Sequence, residues 1–175
     1  MTISSKKFKT VISQKKIKAK NKELARSISK YYQDKDWVLL GLMSGSLYFL
    51  GDLLRHLPEE TRVETWKISS YQGKKSTGII SGIPSRAPSL KNRHILIIDD
   101  ILDTGCTLSH VRNALIQFDV ASVQICVLLS KKVKRTHPVK ARWIGFTIPP
   151  RFVLGYGLDF EGQYRGLPEI VELIP

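Results

Sequence analysis

The hydrophobic pattern of the chain combines short apolar runs with longer stretches in which apolar residues recur every three or four positions. Residues 37–40, 95–98 and 122–129 form the short runs, which are typical of strands buried on both faces of a parallel sheet. Stretches with helical spacing separate these strands. We therefore predict an α/β fold with a doubly wound, mainly parallel sheet and right-handed crossovers.

Three helices are predicted from the spacing of the apolar residues. The first spans residues 13–32, with Ser13 at its N-cap and lysines opposite its apolar face. The second follows residue 46 and the third follows residue 107. The residues expected to face inward are Ile17, Leu24, Ile28 and Tyr31 in the first helix, Leu47, Leu50, Leu53 and Leu54 in the second, and Leu108, Val111, Leu115 and Phe118 in the third.

The rest of the chain is less regular. Residues 1–12 are polar, and we expect them to be loosely held. Residues 69–88 are rich in Gly, Ser, Pro and Lys, and so long a stretch without periodicity is usually functional or mobile. Within it, residues 79–81 are candidates for one arm of a short hairpin. Further strands are expected at residues 62–68, 143–146 and 152–155.

The chemistry concentrates in residues 94–110, HILIIDDILDTGCTLSH. An apolar strand leads to Asp99 and Asp100, then to a loop of small residues from 103 to 107, and then to a helix. Backbone N–H groups in the first turn of a helix lack partners, so this layout favours an anion site. An ordinary capped strand–helix turn explains the same residues, because Asp and Thr are favoured N-caps.

A third carboxylate, Asp103, strengthens the functional interpretation. Three acids within five residues repel one another unless a cation or a hydroxyl-rich ligand offsets their charge. A phosphate in the loop, with Mg²⁺ and sugar hydroxyls on the acids, would resolve this conflict.

These residues resemble the phosphoribosyl pyrophosphate signature of the type I phosphoribosyltransferases. Further motifs follow in the order seen in the hypoxanthine-guanine phosphoribosyltransferases, over nearly the whole chain. The matching segments are residues 41–50, 69–71, 128–131, 145–149, 152–159 and 164–168. The resemblance implies one domain, residues 1–175. Its core would span about 30–130, and a small hood would form from about 131–175 with the N-terminal segment.

The resemblance also implies a reaction, the transfer of ribose 5-phosphate to a purine nitrogen with release of pyrophosphate. Asp103 matches the general base. The 5′-phosphate would bind to the loop Asp103, Thr104, Gly105, Cys106 and Thr107. Asp99 and Asp100 would bind the ribose hydroxyls and Mg²⁺. The family usually has Glu-Asp at this pair, so Asp99 is a departure from its pattern.

Other matched residues concern the base and the pyrophosphate. Lys131 would donate to the purine 6-oxo group, although a solvated lysine at a strand end is a fair alternative, with Lys132 beside it. Phe152 would stack on the base, but an apolar segment favours a core residue. The remaining implied roles are backbone contact with the base for Val153, a second Mg²⁺ or the base amino edge for Asp159, pyrophosphate binding for Ser44, Gly45 and Arg165, and loop closure for Ser70 and Tyr71. Ser44 replaces the family's usual lysine.

Composition limits the alternatives. The formal net charge is +13, with 28 basic and 15 acidic residues, which favours anionic partners. A nucleic acid is a secondary candidate, whereas a solvated basic face is the simpler explanation. No apolar run approaches membrane-spanning length, and the lysine-rich N-terminus lacks the apolar region of a secretory signal.

The two cysteines and four histidines show no metal-ligand spacing, so we expect structural or surface roles for them in a reduced, cytoplasmic protein. The resemblance makes a homodimer or homotetramer the expected assembly. Two rival functions remain open. One is a regulatory or RNA-binding protein that senses phosphoribosyl pyrophosphate on the same fold. The other is a transferase for xanthine or a pyrimidine.

Overall fold

The computed structural model describes residues 7–70 and 80–174. Its elements in this part of the chain are β1 (Lys7–Ile12), α1 (Gln14–Tyr32), β2 (Trp37–Met43), α2 (Leu47–Leu54), β3 (Arg62–Lys67), β4 (Ser69–Ser70), β5 (Ile80–Ser81), β6 (His94–Leu102), α3 (Cys106–Ile116), β7 (Ser122–Lys131), β8 (Trp143–Ile148) and β9 (Ile170–Ile174). A single turn of 3-10 helix covers Pro88–Leu90.

A parallel sheet of five strands forms the centre of the fold, in the order β3-β2-β6-β7-β8. Side chains of β6 alternate between its two faces, and Ile95, Leu96, Ile97 and Ile98 are all fully buried. Leu96 and Ile98 pack in a core with residues of α1 and α2, while Ile95 and Ile97 pack in a second core with residues of α3. Helices therefore cover both faces, and the predicted doubly wound α/β fold is confirmed.

The direction of winding reverses between β2 and β6. From β2 the chain passes through α2 to β3 on one side, and from β6 it passes through α3 to β7 on the other. At such a switch point the loops at the carboxyl ends of the two strands diverge and leave a crevice for a ligand. Here those loops are residues 44–46 and 103–105.

The two ends of the chain meet in a separate sheet. β1 pairs with β9 in antiparallel register, from Lys7 opposite Ile174 to Ile12 opposite Ile170. The expectation that residues 1–12 are loosely held is therefore wrong for Lys7–Ile12, because main-chain hydrogen bonds to a strand distant in sequence fix this segment. The division into a core and a hood stays a prediction.

The segment after β3 contains the expected hairpin arm. Ser69 lies opposite Ser81 and Ser70 opposite Ile80 in an antiparallel pair. Tyr71, predicted in the closing loop, lies outside the described residues, as do residues 1–6.

Three local predictions are wrong or only partly met. Leu47 is 52% exposed, and Phe49 is buried in its place, because the buried face of the short α2 runs through Phe49, Leu50 and Leu53. Residues 152–155 form no strand, since the backbone at Gly155 turns with φ of +92° and the segment makes isolated bridges, Leu154 with Val171 and Gly155 with Leu158. Ser13 occupies the N-cap of α1, but its hydroxyl makes no capping hydrogen bond.

Tyr156 holds the C-terminal part of the chain onto α1 and α2. Its hydroxyl accepts a hydrogen bond of 2.8 Å from Asn21 Nδ2 and donates one of 2.7 Å to Asp52 Oδ2. Asn21 is 1% exposed, so its amide has little access to water. Burial and the Asp52 carboxylate both raise the pKa of Tyr156, so the phenol remains a donor at neutral pH.

We expect Tyr156→Phe to lower the free energy of unfolding by about 1–3 kcal/mol, because a buried amide and a carboxylate lose their partner. Urea denaturation measures the change. Tyr48→Phe is the matched control, since Tyr48 is 42% exposed, and it should change stability by less than about 0.5 kcal/mol. Equal losses of unfolding free energy in the two variants would contradict a stabilising role for the Tyr156 hydrogen bonds.

Candidate active site

A cleft of about 850 Å³ opens at the carboxyl ends of β2 and β6, at the switch point. It brings together these residues predicted from the sequence: Ser44, Gly45, Asp99, Asp100, Asp103, Thr104, Gly105, Cys106, Thr107, Asp159 and Arg165. Lys131, Phe152 and Val153 are not among the described residues that line it. Thr136 and His137 line it without having been predicted, because they lie in an irregular segment with no motif.

The loop from Asp103 to Gly105 turns sharply into α3. Gly105 has φ of +85°, and an added Cβ there would lie 2.6 Å from the carbonyl oxygen of His137, so only glycine fits. The Gly105 N-cap of α3 makes no side-chain cap hydrogen bond, and the Cys106 N–H makes a long hydrogen bond of 3.4 Å to Thr104 Oγ1. Cys106 and Thr107 line the cleft, and the N–H groups of a first helical turn have no partner within the helix. This arrangement suits an anion at the helix N-terminus.

Asp99 and Asp100 lie within β6 and not after it, since the strand continues to Leu102. Burial raises the pKa of Asp99 well above its ordinary value, and the adjacent Asp100 raises it further. Burial also raises the pKa of Asp100, with hydrogen bonds from Asp99 and Ile101 and the Arg165 guanidinium acting in the opposite direction.

This acid pair fits a hard divalent cation. In the described part of the chain, neither carboxylate is within ion-pair distance of a lysine or arginine. Carboxylate oxygens are the ligands that Mg²⁺ prefers. A cation would offset the cost of burial, which raises the pKa of both carboxyls, and the repulsion from Asp100, which raises the pKa of Asp99.

The loop after β2 packs directly on the acid pair. An added Cβ at Gly45 would lie 1.8 Å from Asp100 Oδ2, and one at Gly157 would lie 2.0 Å from the Gly45 carbonyl oxygen. The peptide bond between Met43 and Ser44 is cis. Gly45 is therefore held between Asp100 on one side and the C-terminal segment on the other.

Arg165 and Asp159 form an ion pair of 2.8 Å at the edge of the cleft. Arg165 also donates to the Gly157 carbonyl oxygen, and the second oxygen of Asp159 accepts a hydrogen bond of 2.8 Å from the Gly162 N–H. Both Asp159 oxygens are thus engaged, and a metal at Asp159 would have to replace one of these partners.

Lys131 and Asp103 form a second ion pair, with 2.7 Å between Nζ and Oδ2. The parallel register explains the contact, because Leu102, the last residue of β6, lies opposite Ser130 of β7. Asp103 directly follows β6, and Lys131 is the last residue of β7. The Lys131 side chain is 18% exposed and that of Asp103 is 43% exposed. Lys131 is therefore not a freely solvated lysine, whereas Lys132 is exposed.

Phe152 is 54% exposed, so its interpretation as a core residue is wrong. Its ring meets the ring of Phe160 edge to face at 5.8 Å. Val153 is buried, at 5% exposure. The segment turns outward after β8, which places an aromatic face at the surface.

Residues 9–161 match the family model described as the phosphoribosyl transferase domain. The chain belongs to the phosphoribosyltransferase family. It is 39% identical over 168 residues to a hypoxanthine-guanine phosphoribosyltransferase of Lactococcus lactis, covering 95% of this chain and 91% of the relative. It is 34% identical to a hypoxanthine-guanine-xanthine phosphoribosyltransferase of Tritrichomonas foetus, covering 93% and 89%.

A crystal structure of a hypoxanthine phosphoribosyltransferase from Staphylococcus aureus matches the fold with a TM-score of 0.88 at 36% identity, covering 95% of this chain and 91% of that chain. The resemblance drawn from the sequence motifs is confirmed. The cleft described above is therefore the candidate active site of a phosphoribosyltransferase.

We expect Gly45→Ala to reduce phosphoribosyl transfer by roughly 100-fold, because the new methyl group would displace Asp100 or the loop by an ångström or more. Steady-state kinetics with the donor varied measures the loss. Gly51→Ala is the matched control, since a Cβ at this α2 position meets nothing within 4 Å. The control should keep full activity and gain about 0.5–1 kcal/mol of stability. Normal kinetics of Gly45→Ala would contradict the packing described.

Proposed function

We propose that this phosphoribosyltransferase acts in purine salvage and transfers the 5-phosphoribosyl group from phosphoribosyl pyrophosphate to hypoxanthine, guanine or both. The products are IMP or GMP and pyrophosphate. The observation that carries the proposal is the Lys131–Asp103 pair at the carboxyl ends of β6 and β7.

This pair complements one edge of a 6-oxopurine. N7 and O6 are neighbours on that edge, so an adjacent acceptor and donor can bind both atoms at once. Asp103 would accept from N7–H, and the Lys131 ammonium would donate to O6. An ammonium only donates, so the 6-amino group of adenine has no acceptor at this position and is disfavoured.

The donor would lie across the switch point. Backbone N–H groups and hydroxyls of residues 103–107 would hold the 5′-phosphate, and Asp99 and Asp100 would accept from the ribose hydroxyls. Mg²⁺ held by this acid pair would offset the charge of the pyrophosphate group. Asp99 has a shorter side chain than the family's usual glutamate, but its position in β6 still directs it to the cleft.

The chemical step places positive charge at C1′ as the bond to pyrophosphate breaks and N9 attacks with inversion. Asp103 takes or shares the N7 proton during this attack, which keeps electron density on the base. Backbone groups of Ser44 and Gly45, with the planar guanidinium of Arg165, would hold the departing pyrophosphate. Most of the rate enhancement then comes from positioning and from fixed charges.

The remaining residues have supporting roles in the proposal. The exposed ring of Phe152 is available to stack on the base, and Val153 would contact the base edge through its backbone. Asp159 would reach a second Mg²⁺ or the amino edge of the base. Ser70 and Tyr71 would close over the reacting atoms and exclude water, which would otherwise hydrolyse the donor.

Assembly and location belong to the same proposal. Leu47 and Tyr48 of α2 are 52% and 42% exposed beside the pyrophosphate loop, and this apolar surface supports a homodimer or homotetramer. No described helix has the length and apolar character needed to cross a membrane. We place the enzyme in the cytoplasm.

Two alternatives have an observation in their favour. The relative from Tritrichomonas foetus is named for xanthine as well as hypoxanthine and guanine, so xanthine is a candidate third base. The net charge of +13 favours an RNA-binding regulator on the same fold. Against the regulator, a sensor would need no base-binding pair such as Lys131 and Asp103.

The direct test is turnover of labelled donor with hypoxanthine, guanine, xanthine, adenine and uracil. We expect turnover with 6-oxopurines and little with adenine or uracil. Asp103→Asn should lower kcat by about 100-fold or more, because the amide cannot take the proton. Asp119→Asn, at an exposed surface ion pair, is the control with normal kcat. Steep, salt-dependent RNA affinity with no turnover would favour the regulator.

Lys131→Ala tests base recognition separately from catalysis. We expect kcat/KM for hypoxanthine to fall by roughly 10- to 100-fold, because the 6-oxo group loses its donor. The ratio of kcat/KM for hypoxanthine to kcat/KM for adenine should fall as well. Lys132→Ala is the matched control, as its side chain is exposed at the next position. Unchanged kinetics of Lys131→Ala would assign this lysine to the surface.

A further inference from the structure

Three side chains at the phosphate loop and the first turns of α3 have no part in the proposed reaction. They are those of Cys106, His110 and His137. One ligand atom from each, the thiol sulfur and one nitrogen of each ring, lies within 4.8 Å of the other two. The sequence shows no metal-ligand spacing for these residues, because His137 is distant in sequence and reaches the others only in the fold.

Helix geometry and loop packing bring the three together. Cys106 and His110 are four residues apart on α3 and so lie on the same face, one turn apart. His137 is placed by its backbone, since its N–H donates to the Thr104 carbonyl oxygen at 3.2 Å and its own carbonyl oxygen packs against Gly105.

We propose that Cys106, His110 and His137 form a binding site for a thiophilic transition-metal ion of the Zn²⁺ class. With Zn–S of about 2.3 Å and Zn–N of about 2.0 Å, tetrahedral ligands stand roughly 3.5 Å apart. Cys106 Sγ lies 3.7 Å from His110 Nδ1, close to that separation. Three protein ligands leave the fourth position for water or an anion.

The surroundings of the two rings support this geometry. His137 Nδ1 lies 3.0 Å from Thr136 Oγ1, which orients the ring and leaves Nε2 available as a ligand. His110 Nδ1 lies 2.9 Å from the Cys106 carbonyl oxygen, which turns the ring towards the residue that carries the thiol, and a metal at this nitrogen would replace that hydrogen bond. The two rings lie 5.8 Å apart between centroids.

Ligand chemistry separates this site from the acid pair. A thiolate and two imidazoles select Zn²⁺, Co²⁺ or Cu²⁺, whereas the carboxylates of Asp99 and Asp100 select Mg²⁺. Cys106 and His137 are partly buried and His110 is exposed, so an ion has access from solvent. Binding would release the thiol proton and would join the first turn of α3 to the segment that carries His137.

Co²⁺ titration of the full-length, metal-free and reduced protein tests the proposal without any substrate, so its outcome is independent of the proposed reaction. Excess Mg²⁺ occupies the carboxylates. We expect the absorption of tetrahedral Co²⁺, a thiolate-to-Co²⁺ charge-transfer band, displacement of both by Zn²⁺, and a Zn²⁺-dependent rise in Tm.

Variants assign the ligands. Cys106→Ser should abolish the charge-transfer band, and His110→Gln and His137→Gln should each weaken Co²⁺ binding by more than about tenfold. His56→Gln is the matched control, an exposed histidine outside the cluster, and should bind as the unmodified protein does. His110→Gln alters only an exposed side chain, so its fold should be intact by circular dichroism. Absence of the band, or equal affinity in His110→Gln and the control, would overturn the proposal.

Discussion

The acid pair at the centre of the fold depends on a ligand for its charge balance. Asp99 and Asp100 are adjacent on β6 and partly buried, and this burial raises the pKa of both carboxyls. At neutral pH their ionised forms are costly unless a cation or hydroxyl donors offset them. The cleft is built around this pair. Gly45 packs on Asp100, and the turn of residues 103–107, with its backbone N–H groups, follows the same strand. A sugar phosphate with Mg²⁺ suits both parts of the cleft, because Mg²⁺ and the sugar hydroxyls would bind the carboxylates and the phosphate would bind the backbone N–H groups of the turn.

The position of the pair follows from the topology. Because β6 lies beside the point where winding reverses, its carboxyl end is open to a ligand, while its interior is covered by helices on both faces. Lys131 reaches Asp103 because β6 and β7 run parallel in register. The C-terminal segment then completes the site. Tyr156 connects it to α1 and α2, and Gly157 packs on the carbonyl oxygen of Gly45 in the loop after β2.

Features with a local physical cause could be predicted from the sequence. The apolar run at 95–98 is typical of a strand covered on both faces. The glycine and hydroxyl residues of Asp103–Thr107 at a helix start favour a phosphate-type loop, and the third carboxylate strengthens that interpretation over an ordinary capped turn. The predictions that failed depend on distant parts of the chain. β1 forms because it pairs with β9, a strand distant in sequence. Leu47 faces outward because Phe49 occupies the buried face of the short α2. The spacing of the residues in the sequence does not predict the Cys106–His110–His137 cluster, because a loop brings His137 to the other two only in the fold.

We propose that the switch-point cleft binds phosphoribosyl pyrophosphate by its phosphate and its ribose hydroxyls. A crystal structure of the full chain with this donor and Mg²⁺ tests it most directly. We expect the 5′-phosphate within hydrogen-bond distance of backbone N–H groups of residues 104–107, and the ribose hydroxyls within hydrogen-bond distance of Asp99 and Asp100. A donor bound at another surface, or a cleft without donor at saturating concentration, would contradict it.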